Sequence, residues 1–466
     1  MDVKLNSKIG LPGGIGLVMG GVIGLGVYIM IPSIAGKAGS ATWLAILIAM
    51  SVSIIGVIPL IQLSSALPVA GGGYNWCSRL LHPLVGTLVS NFALFGGSSS
   101  VCVVSVGLAD YLQGFLPFEI SVHLLAMLLI GSFFFLYLFG LRLQLGLQIV
   151  LSIQMILALV FYVLGMWFFQ DVQPQMSLDM PDGFAMGVLL AFNVCFGFQI
   201  ITEMGEEMKE PHKNIPLALL LGAFFVFLIY VGLSVVYVGT IGSDIAILDA
   251  YFHENNSPLI TSAEGKLPVW MVYFLGLGAV SAGLTSFNAG AIALPRELFA
   301  QARDKTLPAF LGKINSKTET PINAIIAFFS LVIVLLLFGY TADNVGWIEK
   351  YFGGNPIDFY GIMTVCGIML LTVFASFSSL FLNQKYKAQY AAAYFRMPPW
   401  LLYVFASVSV LSSLAFVLFL FYEAWIIMVV YIIVSIAIVG YFFWRKKYLA
   451  AKGIEIGNFH DPFDYK

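Results

Sequence analysis

Four glycines interrupt an apolar stretch near the start of the chain, MGGVIGLGVYIMIP at residues 19–32. Each glycine inside a helix lowers its stability by about 1 kcal/mol relative to alanine, so four glycines are not expected in a helix that has only a structural role. Glycine has no Cβ and lets the backbone approach a ligand closely. Where a helix breaks, its free N–H groups attract an anionic group and its free carbonyl groups attract a cation. The alternative is close helix packing, which the spacing of Gly16, Gly20 and Gly24 also fits.

A second interruption lies in AFNVCFGFQIITEMGEE at residues 191–207, where Asn193, Gly197 and Gln199 break the apolar pattern. Non-helical backbone inside a membrane is tolerated only where protein or a water-lined cavity satisfies its polar groups. Paired interruptions at matching places in two halves of a chain are typical of the binding site of a transporter. The two breaks together therefore favour a ligand site over packing alone.

The composition requires a membrane environment for most of the chain. Of 466 residues, 60% are hydrophobic and 10% are charged, and the mean hydropathy is +0.95. A soluble domain carries about 25% charged residues. The net charge of −2, without a basic patch, argues against nucleic acid as a partner. The cysteines do not have the spacing of a metal-binding motif; they are Cys77, Cys102, Cys195 and Cys366.

Twelve apolar segments are long enough to cross a bilayer, which takes about 20 residues. They predict an all-α integral membrane protein. With both termini cytoplasmic, nearly all of the 22 Lys and Arg residues fall on one face, and only Lys37, Lys266 and Lys350 fall on the other. We expect a multi-pass protein of the plasma membrane, surrounded by lipid bilayer, and the sequence leaves its oligomeric state open. The predicted spans are 10–32, 41–68, 83–112, 122–140, 144–169, 183–205, 215–240, 268–300, 322–340, 357–382, 399–421 and 424–444.

Four segments resemble the amino acid–polyamine–organocation (APC) permeases, and they follow the order found in that family. IGLGVY at 23–28 is similar to the glycine-rich part of the family's first helix, and GFQIITEMGEEMKEPHKNIPLAL at 197–219 is similar to its strongest signature. The other two are ALPVAGGGYNW at 66–76 and RELFAQARDKTLPAFLGKINSKTETPINAI at 296–325. The chain departs from the family at Gln199, where a glutamate is usual.

The resemblance implies a secondary active transporter of amino acids that works by alternating access, and not an enzyme. It also implies a five-plus-five inverted repeat in which helices 1 and 6 are discontinuous. We therefore expect a first repeat at 1–170 and a second repeat at 171–383. Two peripheral helices at 384–447 and a cytoplasmic tail at 448–466 would follow.

The resemblance also implies where the substrate binds. The substrate's carboxylate would meet amide groups at the break in helix 1, and its amino group would meet carbonyl groups of both broken helices. Because the neighbourhood of this predicted pocket offers no carboxylate and no clear cation, we expect a neutral amino acid. The residues are Gly24, Leu25 and Gly26 for the carboxylate, Gly20, Gly21 and Asn193 to Phe196 for the amino group, and Val22, Phe192, Cys195 and Phe198 for a side-chain pocket, with Phe198 as its lid.

The stretch AGLTS at 282–286 is similar to a sodium-binding pattern of the related neurotransmitter–sodium symporters. Small hard cations prefer oxygen ligands. Helix 5, at 143–170, contains no charged residue, although many family members carry a lysine there in the place of sodium. We therefore expect Na⁺ as a coupling ion, and no other cofactor. Its ligands would be the hydroxyl groups of Thr285 and Ser286 and the carbonyl groups of Gly20, Ile23 and Ala282.

Other modes of transport stay open at the level of the sequence. Serine and threonine in a helix also bond to a carbonyl group one turn earlier, and the chain would then be an amino acid exchanger or an uncoupled carrier or exporter. Proton coupling would need a carboxyl group within the membrane, for which Glu203 is the candidate. Glu203, Glu206 and Glu207 equally fit a solvated gate or an ion-pair cluster beside Lys209 and Lys213.

Three other classes of protein fit the sequence less well. A channel would need polar rings along a continuous pore, and a membrane receptor would not need broken helices. A membrane enzyme would need a constellation of ionisable residues at depth, which the apolar spans do not offer.

Overall fold

The computed structural model describes residues 9–24, 26–113, 118, 120–137, 141–170, 172–195, 197–255, 257–315, 320–352, 356–454 and 456. Short 3₁₀ helices in these ranges cover Gly39–Ala41, Phe198–Glu203 and Ala309–Gly312. The α-helices are α1 (Leu11–Val22), α2 (Gly26–Ala38), α3 (Thr42–Ala66), α4 (Gly72–Leu80), α5 (Pro83–Gln113), α6 (Val122–Tyr137), α7 (Leu141–Gln170), α8 (Phe184–Val194), α9 (Pro211–Ile241), α10 (Ile245–Glu254), α11 (Pro258–Thr261), α12 (Val269–Ala293), α13 (Pro295–Arg303), α14 (Ile322–Asn344), α15 (Trp347–Phe352), α16 (Pro356–Ser379), α17 (Leu382–Lys385), α18 (Lys387–Ala392), α19 (Pro399–Glu423) and α20 (Trp425–Ala450).

Nine helical segments of the described chain are long and apolar enough to cross a membrane. Two shorter apolar helices, Leu11–Val22 and Val122–Phe135, accompany them. The prediction of an all-helical, multi-pass membrane protein is confirmed. The nine are Gly26–Ala66, Pro83–Asp110, Leu143–Gln170, Pro211–Ile241, Val269–Arg303, Ile322–Asn344, Pro356–Ser379, Pro399–Tyr422 and Trp425–Ala450.

Helix interruptions occur at both places where the glycine pattern predicts them. α1 ends at Val22 and α2 begins at Gly26. α8 ends at Val194, and the following 3₁₀ helix starts after Gly197, whose φ is +108°. Such a φ favours glycine, and a Cβ on Gly197 would also lie 2.8 Å from the carbonyl carbon of Gly21. The two breaks therefore touch through their backbones.

Helices α5 and α16 pack backbone against backbone through a pair of glycines. A Cβ on Gly96 of α5 would lie 2.8 Å from the Cα of Gly367 of α16, and a Cβ on Gly367 would lie 2.7 Å from the Cα of Gly96. Small residues at a helix crossing allow this approach, which gains van der Waals contact along both helices in an environment where lipid is equally apolar. α5 and α16 both line the cavity described below.

We predict that Gly96→Ala lowers the stability of the protein, because the added methyl group meets main-chain atoms that cannot move aside. Overpacking of this kind costs about 1–3 kcal/mol. Thermal unfolding in detergent measures the effect. Gly361→Ala is the matched control, since it lies on α16 and a Cβ there has no neighbour within 4 Å. Equal melting temperatures for Gly96→Ala and Gly361→Ala would contradict this account of the crossing.

Candidate functional site

A single buried hydroxyl group joins the ends of the two broken helices. The phenol of Tyr230, on α9, lies 3.2 Å from the carbonyl oxygen of Val22 and 3.1 Å from that of Val194. These are the last residues of α1 and α8, whose terminal carbonyl groups have no partner within their own helices. Tyr230 is fully buried, and its hydroxyl group can donate one hydrogen to either carbonyl. From the sequence it was indistinguishable from other tyrosines of the spans.

A cavity of about 950 Å³ lies against both breaks. This volume is within the range of small-molecule sites, about 300–1,000 Å³. From the first break, its lining takes Gly21, Val22, Gly24 and Gly26, and from the second break it takes Val194, Gly197, Ile200 and Glu203. The opposite walls come from α5, α12 and α16. Both interruptions thus contribute backbone to one cavity, as the paired pattern predicts.

One end of the cavity is exposed and the other is buried. Asp110 and Asp358 line the exposed end, whereas Glu203, which is only 5% exposed, lines the buried end. The described lining contains no lysine or arginine. The cavity extends beyond the residues that the sequence points to. It reaches Asp110 and Asp358, which the sequence did not place near the breaks, and Glu203, which the sequence named as the candidate for proton coupling.

The predicted substrate residues divide into several groups. Gly21, Val22, Gly24 and Gly26 line the cavity. Gly20 lies behind them, and its carbonyl oxygen accepts a hydrogen bond of 3.0 Å from the Ser286 hydroxyl group. Leu25 and Phe196 fall outside the described residues.

The remaining predicted residues belong to the second break. Phe192 packs its ring on Phe416 of α19, with centroids 5.1 Å apart. Cys195 and Phe198 are buried, and neither is among the described residues of the cavity lining. Asn193 lies in the last turn of α8. The roles of these four residues in substrate binding stay predictions.

Four of the five predicted sodium ligands meet between α1 and α12. The Ser286 hydroxyl group donates to the Gly20 carbonyl oxygen, and the Thr285 hydroxyl group donates to the Ala282 carbonyl oxygen at 3.0 Å. A Cβ on Gly20 would lie 3.1 Å from the Cβ of Thr285, which brings the two pairs together. The fifth residue, Ile23, immediately follows α1. These hydroxyl and carbonyl oxygens fit a small hard cation.

Helix α7 supplies neutral polar groups to the same region. Gln148 Nε2 and Ser152 Oγ lie 3.4 Å and 3.3 Å from the carbonyl oxygen of Gly16. The thioether sulfur of Met155 lies 3.8 Å from the Thr285 hydroxyl oxygen. Sulfur is a poor ligand for a hard cation, so Na⁺ here would depend on the oxygens of α1 and α12.

Three arginine–carboxylate ion pairs close the protein beyond the buried end of the cavity, and we call them the closing layer. They connect α4, the segment after the 3₁₀ helix 198–203, and α13. Arginine suits this place because its planar guanidinium binds a carboxylate through two parallel hydrogen bonds. The pairs are Arg79–Asp304, Arg296–Glu207 and Arg303–Glu206.

The pair at the centre of the closing layer is fully buried. Arg296 Nη2 lies 2.8 Å from Glu207 Oε1, and Arg296 Nε lies 3.0 Å from Glu207 Oε2. The expected partners of this acidic segment, Lys209 and Lys213, are replaced by arginines from α13, and Glu207 is not solvated. Sequence reasoning missed Arg296 because it lies 89 residues from Glu207 and no local pattern connects them.

The Arg79–Asp304 pair lies towards the surface of the same layer. Burial disfavours the charged guanidinium of Arg79, but the hydrogen bond and negative charge of Asp304 outweigh burial and raise the pKa of Arg79 above its usual value. Its Nη2 lies 2.8 Å from Asp304 Oδ1. The third pair is more open, since the Arg303 side chain is 44% exposed. Side-chain exposure thus increases from the Arg296 pair through the Arg79 pair to the Arg303 pair.

Curated relatives of this chain are amino acid transporters by name. Cationic amino acid transporter 4, vacuolar, of Arabidopsis thaliana is 28% identical over 362 residues, which cover 72% of this chain and 59% of the relative. Branched-chain amino acid permease BcaP of Bacillus subtilis is 22% identical over 328 residues, or 66% of this chain and 69% of the relative. Large neutral amino acids transporter small subunit 2 of Homo sapiens is 24% identical over 390 residues, or 79% of this chain and 70% of the relative.

The matches differ in how much of each relative they include. For three Arabidopsis thaliana relatives, the matched part of this chain spans 57% to 60% of their length. The family model for amino acid permeases, in contrast, matches residues 9–442, which contain both helix breaks, the cavity and the closing layer. The chain therefore belongs to the amino acid permease family of the APC superfamily.

Proposed function

We propose that this chain carries amino acids across a membrane by alternating access. The observation that supports the proposal is the cavity at the two helix breaks, which is exposed at one end and closed at the other by ion pairs. A carrier needs a site that opens to one side at a time, and discontinuous helices at such a site supply both N–H and carbonyl groups to a substrate. The names of the relatives agree with this function.

The substrate that we propose is a neutral amino acid. Its carboxylate would bind at the start of α2, where the helix dipole and free N–H groups favour an anion. Its amino group would bind at carbonyl groups of the breaks, and its side chain would face Val22, Val194 and Ile200. Relatives are named for branched-chain and for large neutral amino acids.

A cationic amino acid is the second candidate. Its support is the lining of the cavity, which includes Asp110, Glu203 and Asp358 but no described lysine or arginine. Relatives from Arabidopsis thaliana are named for cationic amino acids. Uptake of radiolabelled leucine and of radiolabelled lysine into proteoliposomes loaded with the same unlabelled amino acid decides between the two substrates. Uptake of neither would contradict the proposed function.

We further propose twelve membrane spans, both termini in the cytoplasm and a place in the plasma membrane. The nine long segments, the two shorter apolar helices and the interrupted α8 supply enough elements for twelve crossings. The proposed repeats are 1–170 and 171–383, followed by peripheral helices at 384–447 and a tail at 448–466. Labelling of single cysteines at Lys37 and Lys313 from each side of the membrane tests the orientation, since this topology places them on opposite faces.

We predict that Gly24→Leu reduces leucine or lysine exchange about tenfold or more. A Cβ on Gly24 would lie 2.8 Å from the Ser286 hydroxyl oxygen, so the leucine side chain would displace the break or fill the cavity. Overpacking costs about 1–3 kcal/mol, and a strain of about 1.4 kcal/mol already corresponds to a tenfold effect. Counterflow in proteoliposomes measures the rate.

The control for this variant is Gly16→Leu, the same substitution within α1, before the break. A Cβ on Gly16 has no neighbour within 4 Å, so exchange by this variant should stay close to the wild-type rate. Normal exchange by Gly24→Leu, with normal insertion, would show that the break in the first helix does not bind substrate.

We also predict that Thr285→Ala combined with Ser286→Ala abolishes accumulation driven by a sodium gradient. The double variant removes two of the five proposed oxygen ligands and leaves the carbonyl groups in place. The control is Thr341→Ala, which removes a hydroxyl group that bonds to a carbonyl oxygen of its own helix at an exposed position. If wild-type uptake ignores sodium and requires internal amino acid, the chain is an exchanger and the two hydroxyl groups only satisfy helix carbonyls.

A further inference from the structure

Two buried carboxyl groups face each other at the closed end of the cavity. Glu203 ends the 3₁₀ helix of the second break, and Glu297 lies in the first turn of α13. Their side chains are within hydrogen-bonding reach of each other. The residues are 5% and 0% exposed, so both carboxyl groups are largely removed from bulk water.

The two carboxyl groups share the first turn of α4. The backbone N–H of Gly73 lies 3.4 Å from Glu203 Oε1, and that of Tyr74 lies 3.4 Å from Glu297 Oε1. A Cβ on Gly73 would lie 3.0 Å from Glu297 Oε1 and 3.8 Å from Glu203 Oε1. This helix N-terminus, with two adjacent amide groups, stabilises negative charge on the pair.

The hydrogen bonds donated to the two carboxyl groups indicate which of them carries a proton. Gln301 Nε2 donates to the Ser90 hydroxyl oxygen at 2.8 Å, and the Ser90 hydroxyl group donates its only hydrogen to Glu297 Oε2. Both oxygens of Glu297 therefore accept hydrogen bonds, as a carboxylate does. Glu203 Oε2 is buried, and no described residue donates a hydrogen bond to it. A proton on the Glu203 carboxyl group makes it a hydrogen-bond donor and removes the repulsion between two adjacent negative charges.

The cations around the pair are already engaged. Arg296 binds both oxygens of Glu207 and the carbonyl oxygen of Ile292. In the outer part of the closing layer, Arg79 binds Asp304 and Arg303 binds Glu206.

The other titratable neighbours of the pair stay neutral. Burial, with the negative charge of Glu297, raises the pKa of the Cys77 thiol, and burial also raises the pKa of the Tyr74 phenol. Among the described residues, one negative charge at the pair is thus stabilised by α4 and Ser90, and a second negative charge has no partner.

We propose that Glu203 and Glu297 form a site for one proton, which is bound while the closing layer is closed and released when this layer opens. The inference rests on the proposed transport function for its role in the cycle, but not for the bound proton itself. Glu203 lines the cavity, so a proton reaches it from the exposed end. Opening of the layer would expose both groups to water, where a glutamic acid ionises at about pH 4.3.

The consequence is a coupling of transport to pH. The closed form binds one proton more than the form in which the layer is open, so each unit of pH shifts their ratio by up to about tenfold. Acidic conditions favour the closed form, and alkaline conditions favour opening. A proton that enters through the cavity and leaves through the opened layer accompanies the substrate in the same direction.

Infrared spectroscopy of the purified protein in detergent tests the bound proton without any substrate. We expect the C=O band of a protonated carboxyl group at neutral pH, and we expect Glu203→Gln to remove it. Glu206→Gln is the matched control, since its carboxylate lies three residues away and pairs with Arg303. Absence of the band from the wild type, or its persistence in Glu203→Gln, would overturn the proposal.

A second experiment tests the coupling in proteoliposomes without sodium. For one proton per substrate, a gradient of one pH unit supports about tenfold accumulation of the transported amino acid. Glu203→Gln, which mimics the protonated side chain, should exchange amino acid by counterflow but should not accumulate it. Glu203→Gln that accumulates substrate as the wild type does would refute the coupling. Wild-type protein without counterflow of leucine or lysine would instead refute the proposed function, and the infrared band would still decide on the proton site.

Discussion

The terminal carbonyl groups of α1 and α8 must find hydrogen-bond donors inside the protein, and the rest of the site depends on this requirement. In the apolar part of a membrane an unsatisfied backbone group costs several kcal/mol, so a broken helix is stable only where neighbours supply its partners. Tyr230 supplies one hydroxyl group to the carbonyls of Val22 and Val194. Ser286 supplies another to the carbonyl of Gly20. A substrate or a cation at the site would compete with these donors for the same oxygens.

A second constraint is the balance of buried charge beyond the cavity. Every arginine of the closing layer has a carboxylate partner, and this matching is what allows Arg296 to be fully buried. The carboxyl groups of Glu203 and Glu297 add two acids to this region, and the described residues offer them no further cation. The proton proposed above would leave one negative charge, which the first turn of α4 and Ser90 stabilise.

Much of the architecture could be predicted from the sequence, because the responsible patterns are local. The glycines at 20–26 and the interruption near Gly197 predict both breaks, and the apolar segments predict an all-helical membrane protein. The direction in which an individual side chain points was harder to predict from the sequence. Phe192 lies in the last turn before the second break, but its ring packs on Phe416 of α19, a residue more than 200 positions away that no local pattern connects to it.

The roles of other residues could not be predicted from the sequence, because they depend on contacts between distant segments of the chain. Arg296 and Glu207 are 89 positions apart, and Tyr230 lies 208 positions from Val22. Neither pair produces a spacing that a single sequence can show. Glu203 was named from the sequence as a candidate for proton coupling, but Glu297 looks like an ordinary acid near a helix end, and only the fold brings the two to the same turn of α4.

The backbone contact between Gly21 and Gly197 has a mechanical consequence. No side chain lies between Gly21 and Gly197, so no change of side-chain conformation there can absorb a small displacement. A shift of one half-helix by a few tenths of an ångström is transmitted directly to the other half-helix. The two interrupted helices are thereby coupled mechanically where their backbones meet, so that a displacement of either break moves the other.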